Sequence, residues 1–248
     1  MALGPLRSSH SPMKTIDVVY PIRKGDNNEE LRYSLRSLRN LPHRQVVITG
    51  FLPALVRSKG VLFLPTAQDR KLGEYRNVAL NLQAAIDSKD VSDPFYLFND
   101  DFYVMVPMEK VRHHNRGPLS ELLTFYRAKH HIGTYFRGME ETYQALRSLG
   151  YLEPLAFNLH IPILIRKGPM RKALALAHTL KAPHIRTIYG AMAGIKGTKA
   201  MDPKRRPGWK QEGWEQWPLL SSTDELKASG VLALLRDTFP GASPYELD

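Results

Sequence analysis

Through its first half this chain alternates short apolar runs with segments of helical periodicity, which restricts it to an α/β layout built on a mostly parallel sheet. Residues 15–20 are a continuous β-rich run ended by Pro21, and residues 28–38 place Leu31, Leu35 and Leu38 on one helical stripe. Residues 45–49 predict a second strand closed by Gly50, and residues 61–64 a third closed by Pro65. A helix follows over residues 76–86, with Val78, Leu82 and Ile86 on one face, and residues 95–98 supply the fourth strand. Short buried strands joined by helical crossovers make a sheet flanked by helices, and open sheets of this kind bind ligands outside the carboxyl ends of their strands.

After Asp101 the pattern changes. Pro107, His113-His114 and Gly117-Pro118 punctuate a loop, and residues 119–129 and 139–149 read as helices. Residues 155–165 are apolar around His160-Ile161-Pro162, and residues 169–180 predict a helix with Pro169 in its first turn. Residues 184–194 read as another helix, and residues 196–217 as an ordered but irregular segment. Ser222-Thr223-Asp224-Glu225 looks like a helix start, with the last helix over residues 231–238. At 248 residues and 43% apolar content the chain suits one domain over residues 15–248, with residues 1–14 as a flexible N-terminus.

The formal net charge is +11, and its location says more than its size. Residues 166–210 hold twelve Lys or Arg against one acid, Asp202, while the other 203 residues carry 23 basic and 23 acidic side chains. So concentrated an excess selects an anion: a nucleotide diphosphate, a nucleic-acid backbone or an acidic polymer. Lys204-Arg205-Arg206 lies beside Trp209, Trp214 and Trp217, a mixture that suits base stacking; the plainer alternative is a solvated basic face. With no cysteine, disulfides, thiolate-bound zinc and cysteine nucleophiles are excluded, so any metal is held by oxygen or imidazole. No run of about eighteen apolar residues occurs and residues 1–12 lack an apolar signal core, which predicts a soluble, cytoplasmic chain without a transmembrane segment.

The fourth strand runs straight into Asn99-Asp100-Asp101. Paired carboxylates on a rigid strand end are oxygen donors suited to Mg2+ or Mn2+ against a diphosphate; the alternative is that they cap a turn. Several chemistries lack their motifs. There is no Gly-x-x-x-x-Gly-Lys-Ser/Thr loop, no Gly-x-Gly-x-x-Gly after the first strand, no Gly-x-Ser-x-Gly elbow and no His-Glu-x-x-His. What remains is a metal-dependent transferase whose donor is held by strand-end carboxylates and a basic clamp.

Ile16-Asp17-Val18-Val19-Tyr20, residues 30–38 (ELRYSLRSL), Phe98-Asn99-Asp100-Asp101-Phe102 and Leu159-His160-Ile161-Pro162 occur in an order that resembles the Stealth family. Val47-Ile48-Thr49-Gly50 followed by Pro53, and Arg186-Thr187-Ile188-Tyr189-Gly190 with Asp202 downstream, agree more loosely. The resemblance implies a sugar-phosphate transferase on a GT-A-like, nucleotide-diphospho-sugar-binding sheet, and Asn99-Asp100-Asp101 is also similar to the Asp-x-Asp metal motif of GT-A glycosyltransferases. The chain departs from the family after its first strand, where Pro21-Ile22-Arg23-Lys24-Gly25-Asp26 replaces the usual Trp-Val-Asp-Gly.

On this reading residues 15–106 form the donor-binding half and residues 107–248 the acceptor half, with the basic segment 166–210. Asp101 holds Mn2+ or Mg2+, with Asp100 as second ligand or catalytic donor-orienting group. Arg23, Lys24, Arg76 and Arg186 are the candidates for donor-phosphate contact. Asp17 either binds the nucleotide base or ribose or satisfies backbone amides, and His160 either takes the acceptor proton or is a hydrogen-bonded core residue. Three functions are thereby expected in order: transfer of a sugar from a nucleotide-diphospho-sugar to the hydroxyl of an anionic acceptor such as DNA or a surface polysaccharide; Stealth-type sugar-phosphate transfer; and a non-catalytic nucleic-acid-binding module.

Overall fold

The computed structural model describes residues 16–25, 28–209, 212–223, 226–227 and 229–247. The expected N-terminal tail, Asp26 and the Asp224-Glu225 part of the expected helix start lie outside these residues. In chain order the elements are β1 Asp17–Ile22, α1 Glu29–Ser37, β2 Val46–Gly50, β3 Val61–Pro65, α2 Gly73–Asp87 and β4 Phe95–Leu97. There follow β5 Phe102–Val104, β6 His114–Asn115, α3 Leu119–Ala128, α4 Thr134–Ser148, β7 Ile163–Ile165, α5 Lys167–Ala177, α6 Ile185–Met192, β8 Thr198–Lys199, β9 Leu219–Ser221 and α7 Val231–Thr238.

The fold is α/β, with a five-stranded sheet in the order β3-β2-β1-β4-β7. Its first four strands are parallel and β7 is antiparallel to β4. Alternation across the pleat divides the core. Val18, Tyr20 and Ile22 pack with Leu31, Leu35 and Leu38 of α1 and its extension. Val19 and Val47 face the other way, onto Leu82, Ile86, Met170, Leu174 and Ile188 of α2, α5 and α6. Each fully buried leucine here, such as Leu35 or Leu82, is of the kind whose truncation to alanine costs about 2–5 kcal/mol.

Pro21 does not end the first strand as expected; it lies inside β1, paired in register with Thr49. The nitrogens of even-numbered residues in β1 face β2, as Val18 N–H donating to Gln45 O shows, so the missing N–H of Pro21 faces the β4 side. There β4 has already ended, at Leu97 opposite Val19, and no ladder bond is lost. A second departure follows Asp101. Residues 102–104, not expected as a strand, form β5 against β9, because the Asn99-Asp100-Asp101 turn sends the chain into a separate two-stranded ribbon. Ser222 and Thr223 leave that ribbon without becoming helical.

Two glycines set how closely these parts approach. Gly50 closes β2 with φ +99°, and a Cβ there would sit 2.4 Å from Ile22 O. At Gly190 a Cβ would meet the Phe157 ring at 2.2 Å, so only glycine lets α6 lie flat on residues 157–161. Strand order reverses between β1 and β4, since β1 passes through α1 to β2 on one side while β4 lies on the other. The carboxyl ends of this pair therefore border a crevice of the sort that holds ligands in open α/β sheets. Among the described residues no helix is long and apolar enough to cross a membrane.

Candidate active site at the carboxyl edge of the sheet

The crevice is built by topology. β4 delivers Asn99-Asp100-Asp101 as a turn, with Phe102 N–H donating to Asn99 O at 3.3 Å. Because β7 runs antiparallel to β4, with Ile163 opposite Leu97, the residues preceding it, His160 among them, fall at the same edge. The first turn of α1 brings Glu30 from one side, and β9 brings Ser221 opposite Phe102.

The two aspartates differ. Asp101 Oδ2 accepts a 2.8 Å hydrogen bond from Ser221 Oγ and has Lys204 Nζ at 3.7 Å. Lys204 is held there by a parallel bridge to Ser221. Asp100 has no such partner side chain among the described residues. Burial pushes its carboxyl up, and the negative charges of Asp101 and Glu30 push it further, to about 6, with Arg23 pulling the other way.

Arg186 spans the gap to the second half of the chain. Its Nη1 donates to Leu159 O at 2.9 Å and to Ile161 O at 2.6 Å, and its Nη2 to Asn99 Oδ1 at 3.5 Å. The guanidinium lies 5.0 Å from the Phe102 ring centroid. Burial lowers its pKa to about 10 while Asp101 and Asp202 oppose the shift, so the group remains cationic at neutral pH. The ring of Phe102 also meets His160 edge-on at 6.5 Å. Asp202 fixes residue 160 twice, its Oδ1 accepting the backbone N–H at 3.0 Å and its Oδ2 lying 2.8 Å from Nδ1. Against the cost of burial, those bonds hold the Asp202 carboxyl below its ordinary range.

Asp101, Arg186 and the His160–Asp202 pair thus gather around Phe102, with Asp100 beside Asp101 and Arg23 acting on Asp100. Lys24 is exposed on the loop after β1, its backbone N–H 3.4 Å from Gln68 Oε1. Arg76 is exposed in the first turn of α2 and has no ion pair with a described residue. Asp17 is elsewhere. It begins β1, at the amino edge, where Arg44 donates to both its oxygens at 2.6 Å and the Ser92 N–H donates to Oδ2 at 2.7 Å. There it ties the start of the strand to Arg44 and to the Ser92 amide, at the opposite edge from the Asp100-Asp101 turn.

Several cations of the basic segment are already engaged. Lys167 donates to Ser88 O and Val91 O, Arg171 pairs with Asp87, Lys199 with Glu121 and Lys204 with Asp101. Arg205 is buried with its guanidinium 4.5 Å above the Trp214 ring, and Trp214 and Trp217 pack inward on the cluster of β5, β9 and α7. Only Trp209 of the three is exposed. Asp202, Glu30 and Ser221 were not singled out as site residues from sequence. Asp202 was detectable as the one acid within the basic segment, whereas nothing local marks Glu30 or Ser221.

An open groove of about 580 Å3 lies at the amino edge, lined by Leu38, Pro42, His43, Pro107, Met108 and Glu109, away from the carboxylate pair. No protein-family model matches the chain, and no curated protein matches it. The convergence of charged groups at the β1–β4 reversal is therefore what bears on function.

Proposed function

We propose that the chain is a metal-dependent glycosyltransferase on a GT-A-like sheet, moving a sugar from a nucleotide-diphospho-sugar to the hydroxyl of an anionic acceptor. The observation that carries this reading is the acidic turn at the strand-order reversal, where Asp100 is pushed to about 6 by burial and by Asp101 and Glu30. Asp100 and Asp101 offer oxygen donors, the set that Mg2+ and Mn2+ prefer, and the repulsion between them is what a divalent cation relieves. Among the described residues no group of three or more His, Cys, Asp or Glu closes around a metal position. A cation held by these two carboxylates would take the rest of its coordination from diphosphate oxygens and water. When bound, the cation supplies Lewis-acid neutralisation of the departing diphosphate.

The chain's own residues do the rest. Arg186 and Lys204, with Arg23 at the rim, present fixed positive charge to the donor phosphates. Asp202 orients His160 through Nδ1, which leaves Nε2 to take the acceptor proton. A bond forms between the acceptor oxygen and the anomeric carbon as the bond from that carbon to the phosphate oxygen breaks. The electron pair leaves with the nucleoside diphosphate. The resemblance at residues 98–102 and 159–162 favours a second reading, sugar-phosphate transfer, in which the hydroxyl attacks phosphorus instead; product mass separates the two.

A panel of nucleotide sugars, screened by thermal shift with and without Mn2+ or Mg2+, tests the proposal. Stabilisation is expected to require donor and metal together and to vanish in Asp101→Asn. Stabilisation equal in wild type and variant, or absent with every donor, removes the carboxylate pair from the chemistry and leaves the non-catalytic alternative.

A further inference from the structure

Beside the proposed site runs a track of rings in edge-on and tilted contact that the transfer chemistry does not use. Phe125 and Tyr126 on α3 meet at 5.8 Å, Tyr126 meets Tyr135 of α4 at 5.9 Å, and Tyr135 meets His184 at 4.6 Å. Tyr126 also contacts His131 at 6.1 Å, and the Arg116 guanidinium lies 5.8 Å from its ring centroid. The inner end of the track is buried and neutral, with burial lowering His184 to about 4. It adjoins the segment that carries His160, since Asn158 Nδ2 lies 2.6 Å from His184 Nδ1.

The outer end is open. Phe125 is 55% exposed, Ile132 54% and Tyr135 39%, an unusual concentration of large apolar side chains on a two-helix surface. The connection between the two helices is basic, with the nearest acids, Glu121 and Glu140, on the helices themselves. Residues 127–137 contain Arg127, Lys129, His130, His131 and Arg137 and no carboxylate. Arg127 is paired with Glu140, but Lys129 and Arg137 have no carboxylate partner among the described residues.

We propose that this track is the acceptor subsite and that the acceptor is single-stranded nucleic acid, its bases stacked on Phe125 and Tyr135 and its phosphates met by Lys129, Arg137 and Arg116. This rests on the transferase reading above and deepens it by naming the acceptor class. Flat rings suit the π-faces of bases, and flanking cations without carboxylate partners suit a phosphate chain; an acidic polysaccharide would use the cations but could lay only the C–H faces of its sugars on the rings. The strand would enter over Phe125 and present a hydroxyl-bearing nucleotide to His160, two residues beyond the Asn158 that meets His184.

Fluorescence anisotropy of labelled single-stranded oligonucleotides on the full chain, without donor, tests this directly, with duplex DNA and heparin as competitors. Phe125→Ala and Tyr135→Ala are each expected to weaken binding about tenfold, the scale of one lost base stack, while Tyr135→Phe retains it. Lys129→Ala and Arg137→Ala should each lower the log–log salt slope by about one. Unchanged affinity in both aromatic variants, or heparin binding as tightly and with the same losses, overturns the proposal. Phe125 is exposed, so its variant remains informative if Tyr135→Ala fails to fold. Donor-induced stabilisation measured alongside separates the two claims. A donor shift without oligonucleotide binding sinks the track alone, and oligonucleotide binding without any donor shift supports the track and sinks the transferase.

Discussion

The two ends of the central sheet each carry an acid, Asp17 buried and Asp100 half-buried, and they treat it in opposite ways. At the amino edge, Asp17 is fully buried yet saturated by two bonds from Arg44, one from Gln45 and the Ser92 amide. Those bonds outweigh desolvation and hold its carboxyl below the ordinary range. At the carboxyl edge, Asp100 has acidic neighbours and rises to about 6. A carboxylate whose charge is already matched ties strands together. One whose charge is opposed is, on the proposed reading, the group that receives a cation.

The largest expected effect separates the two ends by activity. Asp101→Asn should lower metal-dependent donor turnover by at least about a hundredfold, on the scale of losing a key charge at a reacting centre, with the circular dichroism spectrum unchanged. Asp17→Asn, by contrast, should keep turnover within about twofold. If Asp17→Asn proves as damaging to turnover as Asp101→Asn in a protein that still melts cooperatively, the contrast between the edges collapses.

Stability should show the reverse ordering. Asp17→Ala strips the partners from Arg44 and the Ser92 amide and is expected to cost about 2–4 kcal/mol in urea unfolding. The pH dependence follows from the depressed folded-state pKa. The stabilisation is fully present above the unfolded value near 3.8 and is lost as pH falls through the lower folded value, so Asp17→Asn should flatten the acid limb of the stability curve.

Asp100→Asn should move the other way. Its folded-state pKa is raised, so the folded state binds the proton more tightly and ionisation at neutral pH costs stability; that cost is complete above about 6 and gone below 3.8. The ligand-free variant is therefore expected to be more stable than wild type by roughly 1–3 kcal/mol at pH 8, with no gain at pH 3.5. A variant no more stable at pH 8 would mean that Asp100 is not under electrostatic strain. The smallest effect belongs to Lys204, whose 3.7 Å pair with Asp101 is partly exposed. Lys204→Gln should change stability by less than about 1 kcal/mol while raising the donor KM several-fold, a split visible in steady-state kinetics.

What local pattern determines, the sequence carried on its own. The four parallel strands, the helices α1, α2, α3 and α5, and the final helix over residues 231–238 follow from apolar periodicity and Pro or Gly punctuation, since burial acts on each segment independently of its neighbours. The paired aspartates were legible for the same reason, because a β-rich run ending in Asp-Asp is a local signal. Tertiary structure alone decided which charges meet. Pro21 could stay in β1 only because β4 stops short beside it. Asp17 was separated from the site because it begins its strand rather than ending it, and Arg205 with two tryptophans was turned into the interior by packing against β5, β9 and α7. Asp202 was brought 42 residues back along the chain to His160. Pairings of that kind depend on long-range closure, and no property of the individual residues encodes the distance between them.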